Sequence, residues 1–247
     1  MDSEESQRVS FLGYVAVVVG LLMDLGRPFP DLANFLDQET QYTLGDLMQN
    51  MASLDAAFIQ RILQPYGHRL AILHGAADFR DQDNIDPESL ERVFTMLRSM
   101  YKLIVIDLSH WLDELFLKVV TEADMVVMLT GLTIPDLRNL KHLWPYLTDW
   151  HQDRRKIKVV INRYDNSSGI HLKDLEHLLQ QGAYATLPSD YLVLIQCLNQ
   201  GTPLAKTAPR SKLWRSFKSL SAQILSEIGP DGLDHDQAAA RKRFWLF

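Results

Sequence analysis

The sequence predicts a doubly wound α/β domain with a mainly parallel sheet, and three observations predict it. Short apolar runs recur along the chain, at 14–24, 69–74, 102–108, 125–130, 157–162 and 183–186. The runs are mostly continuous rather than alternating, as expected of strands buried on both faces of a parallel sheet. Most are followed by a stretch with helical periodicity, and that alternation puts helices on both faces. A chain of 247 residues, 47% hydrophobic and 23% charged, can bury such a core.

The first run raises the question of targeting. Phe11–Met23 is apolar, but its 13 residues fall short of the ~20 that a membrane-spanning helix needs. The preceding "MDSEESQR" is acidic where a secretory signal is basic, and Val15, Val17, Val18 and Val19 favour an extended chain. A buried strand and a cytoplasmic protein are the expectation. The clearest helix start is "DPESLERVFTMLRSM", with Asp86 as N-cap, Pro87 at the first helical position and Glu88 in the first turn. Ser89 at the third position leaves it without a full capping box. Helices follow at 111–123 and 135–149, the second strained by Pro145. Another starts near Ile170 and is closed by Gly182, and a last one ends at Gly229. "GPDGLDHDQ" reads as a linker, so the expected domain covers residues 1–228, with a linker and tail at 229–247.

Composition excludes several classes. The formal net charge of −6 repels a nucleic acid backbone. The single cysteine, Cys197, rules out an internal disulfide framework, and within "YLVLIQCL" it reads as a small buried hydrophobe. Eight histidines lack HxxH or HExxH spacing, so no metal site is indicated, and His171 and His177 read as surface residues. The adjacent pairs Ser109–His110 and Ser189–Asp190 lack the glycines of a nucleophile elbow.

In doubly wound sheets, ligands bind outside the carboxyl ends of the strands. Three strands here end in groups suited to a nucleotide: Asp24 after "GLLM", Asp107 after "LIVI" and Asn162 after "KVVI". Each also has an ordinary role, as the polar cap of the next helix or turn. A phosphate cradle of the form GxxxxGK[ST] supplies curled backbone amides and a lysine. The sequence has no such stretch, and its first lysine is Lys102.

From Leu21 on, the chain resembles the pilus-assembly CpaE/TadZ group of the MinD/ParA-type ATPases, which have a P-loop NTPase fold. The resemblance covers residues 21–227 and is carried by "LLMDLGRPFPDLANFLDQE", "YKLIVIDLSHWLDE", "VVINRYDNSSGIHLKDLEHLL" and "TLPSDYLVLIQCLNQGTPLAKTAPRS". It implies that Asp107 faces magnesium through water and that Asn162 reads adenine. Pro188 and Asp190 would lie in the loop over the base. Asp24 matches the first acid of the family's DxD switch, and Gly26 stands where the second belongs. ATP and magnesium are thus implied as cofactors, weakly held if at all. Without cradle and second acid, charge at a phosphoryl transition state goes largely unstabilised, and one such loss typically costs ~10²–10³ in rate.

The resemblance further implies a role in placing or assembling a Flp-type (tight-adherence) pilus or secretion apparatus. It implies a homodimer that uses the strand-end face, including the segment with Trp111 and Leu112. Two accounts of the absent cradle are open: a family member that works as a scaffold, or a chain that starts inside a longer gene. An ATPase completed by a partner subunit is the alternative, and an interaction module that never meets nucleotide is a third.

The tail "AARKRFWLF" reads as an amphipathic helix. Ala240, Phe244 and Phe247 form its apolar stripe, Trp245 and Leu246 flank it, and Arg241, Lys242 and Arg243 supply positive charge. That pattern suits a helix lying on the inner face of the plasma membrane.

Overall fold

The computed structural model describes residues 20–67, 69–76, 78–109, 112–151, 153–166, 169–228 and 243–246. Its strands are β1 (Gly20–Leu25), β2 (Gln64–Tyr66), β3 (Leu70–Leu73), β4 (Leu103–Leu108), β5 (Met125–Thr130), β6 (Ile157–Tyr164), β7 (Ala185–Pro188) and β8 (Arg243–Leu246). They form one sheet in the order β2-β3-β1-β4-β8-β5-β6-β7. All pairs are parallel except β2 with β3, an antiparallel strand at one edge. The doubly wound sheet predicted from the apolar runs is therefore the fold observed.

Period-two alternation divides the strand side chains between two cores. Leu21, Met23, Ile104, Ile106, Val126, Val159 and Ile161 face one. Covering that face are α2 (Leu44–Gln49), α3 (Ala56–Ile62), α5 (Pro87–Met100), α6 (Glu114–Glu122), α7 (Ile134–His151) and α8 (Leu172–Leu179). Leu22, Ile72, Val105, Val127, Val160 and Leu187 face the other, under α1 (Leu32–Phe35), α9 (Tyr191–Asn199), α10 (Leu204–Thr207) and α11 (Lys212–Ile228). The short α4 (Phe79–Gln82) lies between β3 and α5 in the chain.

Local chemistry accounts for the helix ends. In α5, the Asp86 carboxylate accepts the Ser89 N–H at 2.8 Å, and Leu90, Val93, Phe94 and Leu97 form the buried stripe. Helix α7 runs through Pro145, held on either side by buried Leu140, Trp144 and Leu147. Helix α8 ends earlier than Gly182, because Gln180 itself takes the left-handed conformation at φ 53°. Cys197 is buried as expected, and burial pushes its thiol pKa up. Among the described residues, no helix is long and apolar enough to cross a membrane.

The tail is the main correction. Arg243, Phe244, Trp245 and Leu246 form a strand, not a helix, and it lies between β4 and β5. A strand repeats every two residues and not every 3.6, so helical spacings of four and three do not apply over these residues. The sheet therefore includes residues beyond the boundary expected at 229. Ala240, Arg241, Lys242 and Phe247 lie outside the described residues, as do Trp111 and residues 14–19 of the first predicted strand.

Candidate functional site

Asp24 and Asp107 are register partners on adjacent parallel strands, so both carboxylates sit at the carboxyl end of the sheet on one face. By strand parity it is the face that carries Leu22, Val105 and Val160. Asn162 follows Val160 by two residues and shares that face. The three predicted strand-end groups are thus brought to one side of one edge. From β4 across β8 and β5 to β6 is three strand spacings, about 14 Å.

Asp24 is almost wholly buried, at 2% exposure. Its Oδ1 accepts the Gly26 N–H at 2.8 Å and its Oδ2 accepts the Leu32 N–H at 3.1 Å. Burial first, and then the charge of Asp107, push its pKa up to about 7 against the lowering effect of those two bonds. Asp24 therefore clamps the loop that joins β1 to α1. That is its ordinary structural role, and both carboxylate oxygens are engaged in it.

Sequence reasoning missed the rest of this clamp. The Gln82 amide donates to the Pro28 carbonyl at 2.8 Å and to the Ala76 carbonyl at 2.7 Å. Arg27 pairs with Asp113, whose other oxygen caps α6 by accepting the Phe116 N–H at 2.8 Å. Gly75 packs against the loop so closely that a Cβ there would lie 2.5 Å from Pro30 Cβ. A Cβ on Gly26 would lie 2.9 Å from Asp24 Oδ1. The position of the missing switch acid is thus sterically fitted to glycine. A small cleft remains, lined by Asp24, Gly26, Arg27, Gly75 and Gln82. The spacing of Gly26 from Asp24 was the one signal in the sequence. A lone Gln82 in a polar stretch carries none.

Asn162 is the opposite case. It is 1% exposed, and neither its amide nitrogen nor its amide oxygen has a hydrogen-bond partner among the described residues. It sits where the β6–β7 pairing is irregular, between Ile161 and Tyr164, next to Arg163 at φ 51°. Pro188 ends β7, pairing with Tyr164, and Asp190 is the N-cap residue of α9, without a side-chain cap bond. These two predicted residues therefore follow the strand next to Asn162. An amide left buried and unbonded costs about 1–3 kcal/mol for each group. A ligand edge with one donor and one acceptor would satisfy both.

The donor set fits the base of a nucleotide better than its metal-bound phosphates. Asp107 offers hard carboxylate oxygens, but Asp24 has both oxygens occupied by N–H groups. Among the described residues, no group of three or more His, Cys, Asp or Glu side chains is placed to hold a metal ion.

Fold and edge together define the class: the chain has the P-loop NTPase fold of ParA- and MinD-type ATPases. The structure superposes on a ParA family ATPase from Chlorobium tepidum TLS with a TM-score of 0.80 and 21% identity, covering 89% of this chain and 92% of that one. It superposes on the septum site-determining protein MinD of Pyrococcus horikoshii OT3, complexed with Mg-ADP, with a TM-score of 0.73 and 20% identity, covering 91% and 90%. In sequence it is 24% identical over 212 residues to the septum site-determining protein MinD of a Synechocystis strain, covering 84% of this chain and 77% of that protein. No family profile matches the chain. These likenesses support the MinD/ParA superfamily suggested by the sequence motifs.

Proposed function

We propose that the chain is a MinD-like protein that holds an adenine nucleotide chiefly by its base and works as a scaffold rather than an efficient ATPase. Asn162 carries the reading: a buried amide, unbonded on both sides, at the strand edge where this fold binds ligands. Its amide would donate to one ring position of adenine and accept from the exocyclic amine, with Pro188 and Asp190 in the flanking loop. When bound, magnesium would supply charge neutralisation of the phosphates, and Asp107 is the residue that would face it. Asp24 stays with its loop. The absence of a GxxxxGK[ST] stretch supports slow or no hydrolysis.

The cellular role we propose rests on the motif resemblance: placement or assembly, from the cytoplasmic side, of a Flp-type pilus or secretion apparatus. A second copy is the partner we propose at the strand-end face. Phe29, Leu112, Ile134, Tyr191 and Leu192 all follow the carboxyl ends of strands and remain exposed.

Calorimetry with adenosine, ATP and magnesium-ATP tests the nucleotide reading. Adenosine and ATP are expected to bind with similar affinity. An ATP preference of about a hundredfold, or about 2.8 kcal/mol, would show a phosphate site and promote the ATPase alternative. No binding of any of the three would leave only the interaction module.

A further inference from the structure

Charge is unevenly spread over the layer of α9, α10 and α11. From Tyr191 to Ser226 the sequence holds five of the chain's 25 Lys and Arg residues and none of its 31 Asp and Glu. The rest of the chain is therefore more negative than the −6 of the whole. The five are Lys206 on α10, Arg210 in the turn before α11, and Lys212, Arg215 and Lys218 on α11, and all are exposed. Elsewhere, Arg27, Arg80, Arg98, Lys118, Arg155 and Lys158 each pair with an acid. Among the described residues, none of the five does.

The stability of α11 does not call for these cations. Leu213, Trp214, Phe217, Leu220 and Ile224, all buried, already fix the helix to the sheet. Its first turn holds no acid, and cations at the start of a helix oppose its dipole. On the solvent side, Lys212, Arg215 and Lys218 follow at steps of three residues, over about 9 Å. A row of positive charge on a rigid face fits a partner that presents negative charge across a surface. Clusters of about four to eight Lys and Arg on an amphipathic helix suit anionic lipid headgroups. Nucleic acid fits less well, because a domain that binds it is commonly basic as a whole, and this chain carries −6. Trp214 and Phe217 are also buried, so α11 offers no aromatic face for a base to stack on. A bilayer meets the one face and leaves the acidic remainder on the far side.

We propose that the exposed side of α10 and α11 is a docking surface for an anionic lipid bilayer, whose phosphate headgroups meet Lys206, Arg210, Lys212, Arg215 and Lys218. The surface is separate from the tail and from the strand-end groups, and it does not rest on the nucleotide reading.

Co-sedimentation of the full-length chain with vesicles tests it. The wild type is expected to pellet with phosphatidylcholine vesicles that hold about 30% phosphatidylglycerol, and not with phosphatidylcholine alone. It should be released as salt rises from about 50 mM to about 500 mM. The combined variant Lys212→Glu, Arg215→Glu and Lys218→Glu is expected to lose about tenfold or more in vesicle affinity. All three positions are exposed, and acids suit the start of a helix, so the variant should fold. Should it fail to, Lys206→Gln with Arg210→Gln, outside α11, decides, with an expected loss of about threefold or more. A variant with Arg241→Gln and Lys242→Gln in the tail is expected to pellet as the wild type does. Unchanged pelleting of the variants in α10 and α11, or a loss confined to the tail variant, overturns the proposal. Tighter binding of duplex DNA or poly-glutamate than of vesicles also overturns it, in favour of a nucleic acid or an acidic protein.

Discussion

The two ends of the candidate site treat buried polar groups in opposite ways. At the β1–β4 end, Asp24 makes two hydrogen bonds to the segment between β1 and α1, and Gln82 ties that loop, at Pro28, to Ala76 beyond β3. Gly26 and Gly75 let that loop pack without room for a side chain. At the β6–β7 end, Asn162 is equally buried and makes none. The same fold edge thus holds Asp24 and Gln82, each hydrogen-bonded within the protein, and Asn162, whose amide has no partner among the described residues. Burial alone does not separate structural from functional polar residues.

The largest test of this contrast is Gln82→Leu. Leucine keeps much of the volume but leaves the buried carbonyl of Ala76 and the half-buried carbonyl of Pro28 without their donor. At about 1–3 kcal/mol for each orphaned acceptor, a loss of about 2–6 kcal/mol in unfolding free energy is expected. Urea denaturation measures it. A loss below about 0.5 kcal/mol would mean that the loop rearranges at little cost and that the clamp is not structural.

Asn162→Leu should do the reverse. It removes two unbonded polar groups from a dry site, so the variant is expected to gain about 1–2 kcal/mol in stability. It should also lose adenosine affinity by about tenfold or more. Denaturation and calorimetry on one preparation read both. Lower stability would mean that Asn162 is bonded in solution and that the contrast between the two ends fails.

How much of this was legible beforehand depends on the range of the interactions involved. The Asp86–Pro87 helix start and the apolar runs of β4 and β6 are local, and each is where the residue pattern puts it. Asp24, Asp107 and Asn162 were visible because strand ends are marked by the change from apolar to polar. Gln82, Arg27 and Asp113 were not, since their partners lie 6 to 86 residues away and no spacing announces them. The tail misled for a related reason. A run as short as "RFWL" fits helical and strand periods equally, and its place beside β4 depends on pairing across more than a hundred residues.

The pH dependence sharpens the contrast by a smaller amount. The pKa of Asp24 is about 7 in the folded protein against an ordinary 3.8. The native state therefore binds more protons than the unfolded chain between these values, and stability falls as pH rises through that window. The contribution is fully present below about 3.8 and lost above about 7, with a slope of at most about 1.4 kcal/mol per pH unit for one proton. Asp24→Asn cannot ionise and should flatten this descent between pH 5 and pH 8, keeping an amide oxygen to accept one loop N–H. Burial lowers the pKa of His74, which acts in the opposite direction as pH falls below its ordinary 6.5. The comparison is therefore between variant and wild type at each pH rather than within one curve. Parallel curves would show that Asp24 does not carry the proton.

The smallest expected effect separates the two jobs of Asp113. One oxygen caps α6 through the Phe116 N–H, and the other pairs with Arg27 across the mouth of the cleft. The Asp113 side chain is 37% exposed, so the ion pair is solvent-screened and worth about 0.2–1 kcal/mol. A lost N-cap costs about 0.5–2 kcal/mol. Asp113→Ser keeps a capping oxygen and loses the charge, while Asp113→Ala loses both. The serine variant should therefore cost less than the alanine variant, and its deficit should shrink in high salt as the pair in the wild type is screened. A double-mutant cycle with Arg27→Gln isolates the pair itself. A salt-independent coupling above about 2 kcal/mol would place Arg27 and Asp113 with Asp24 and Gln82 as part of the buried clamp. The expected weak coupling would set the Arg27–Asp113 pair apart from the buried bonds of Asp24 and Gln82.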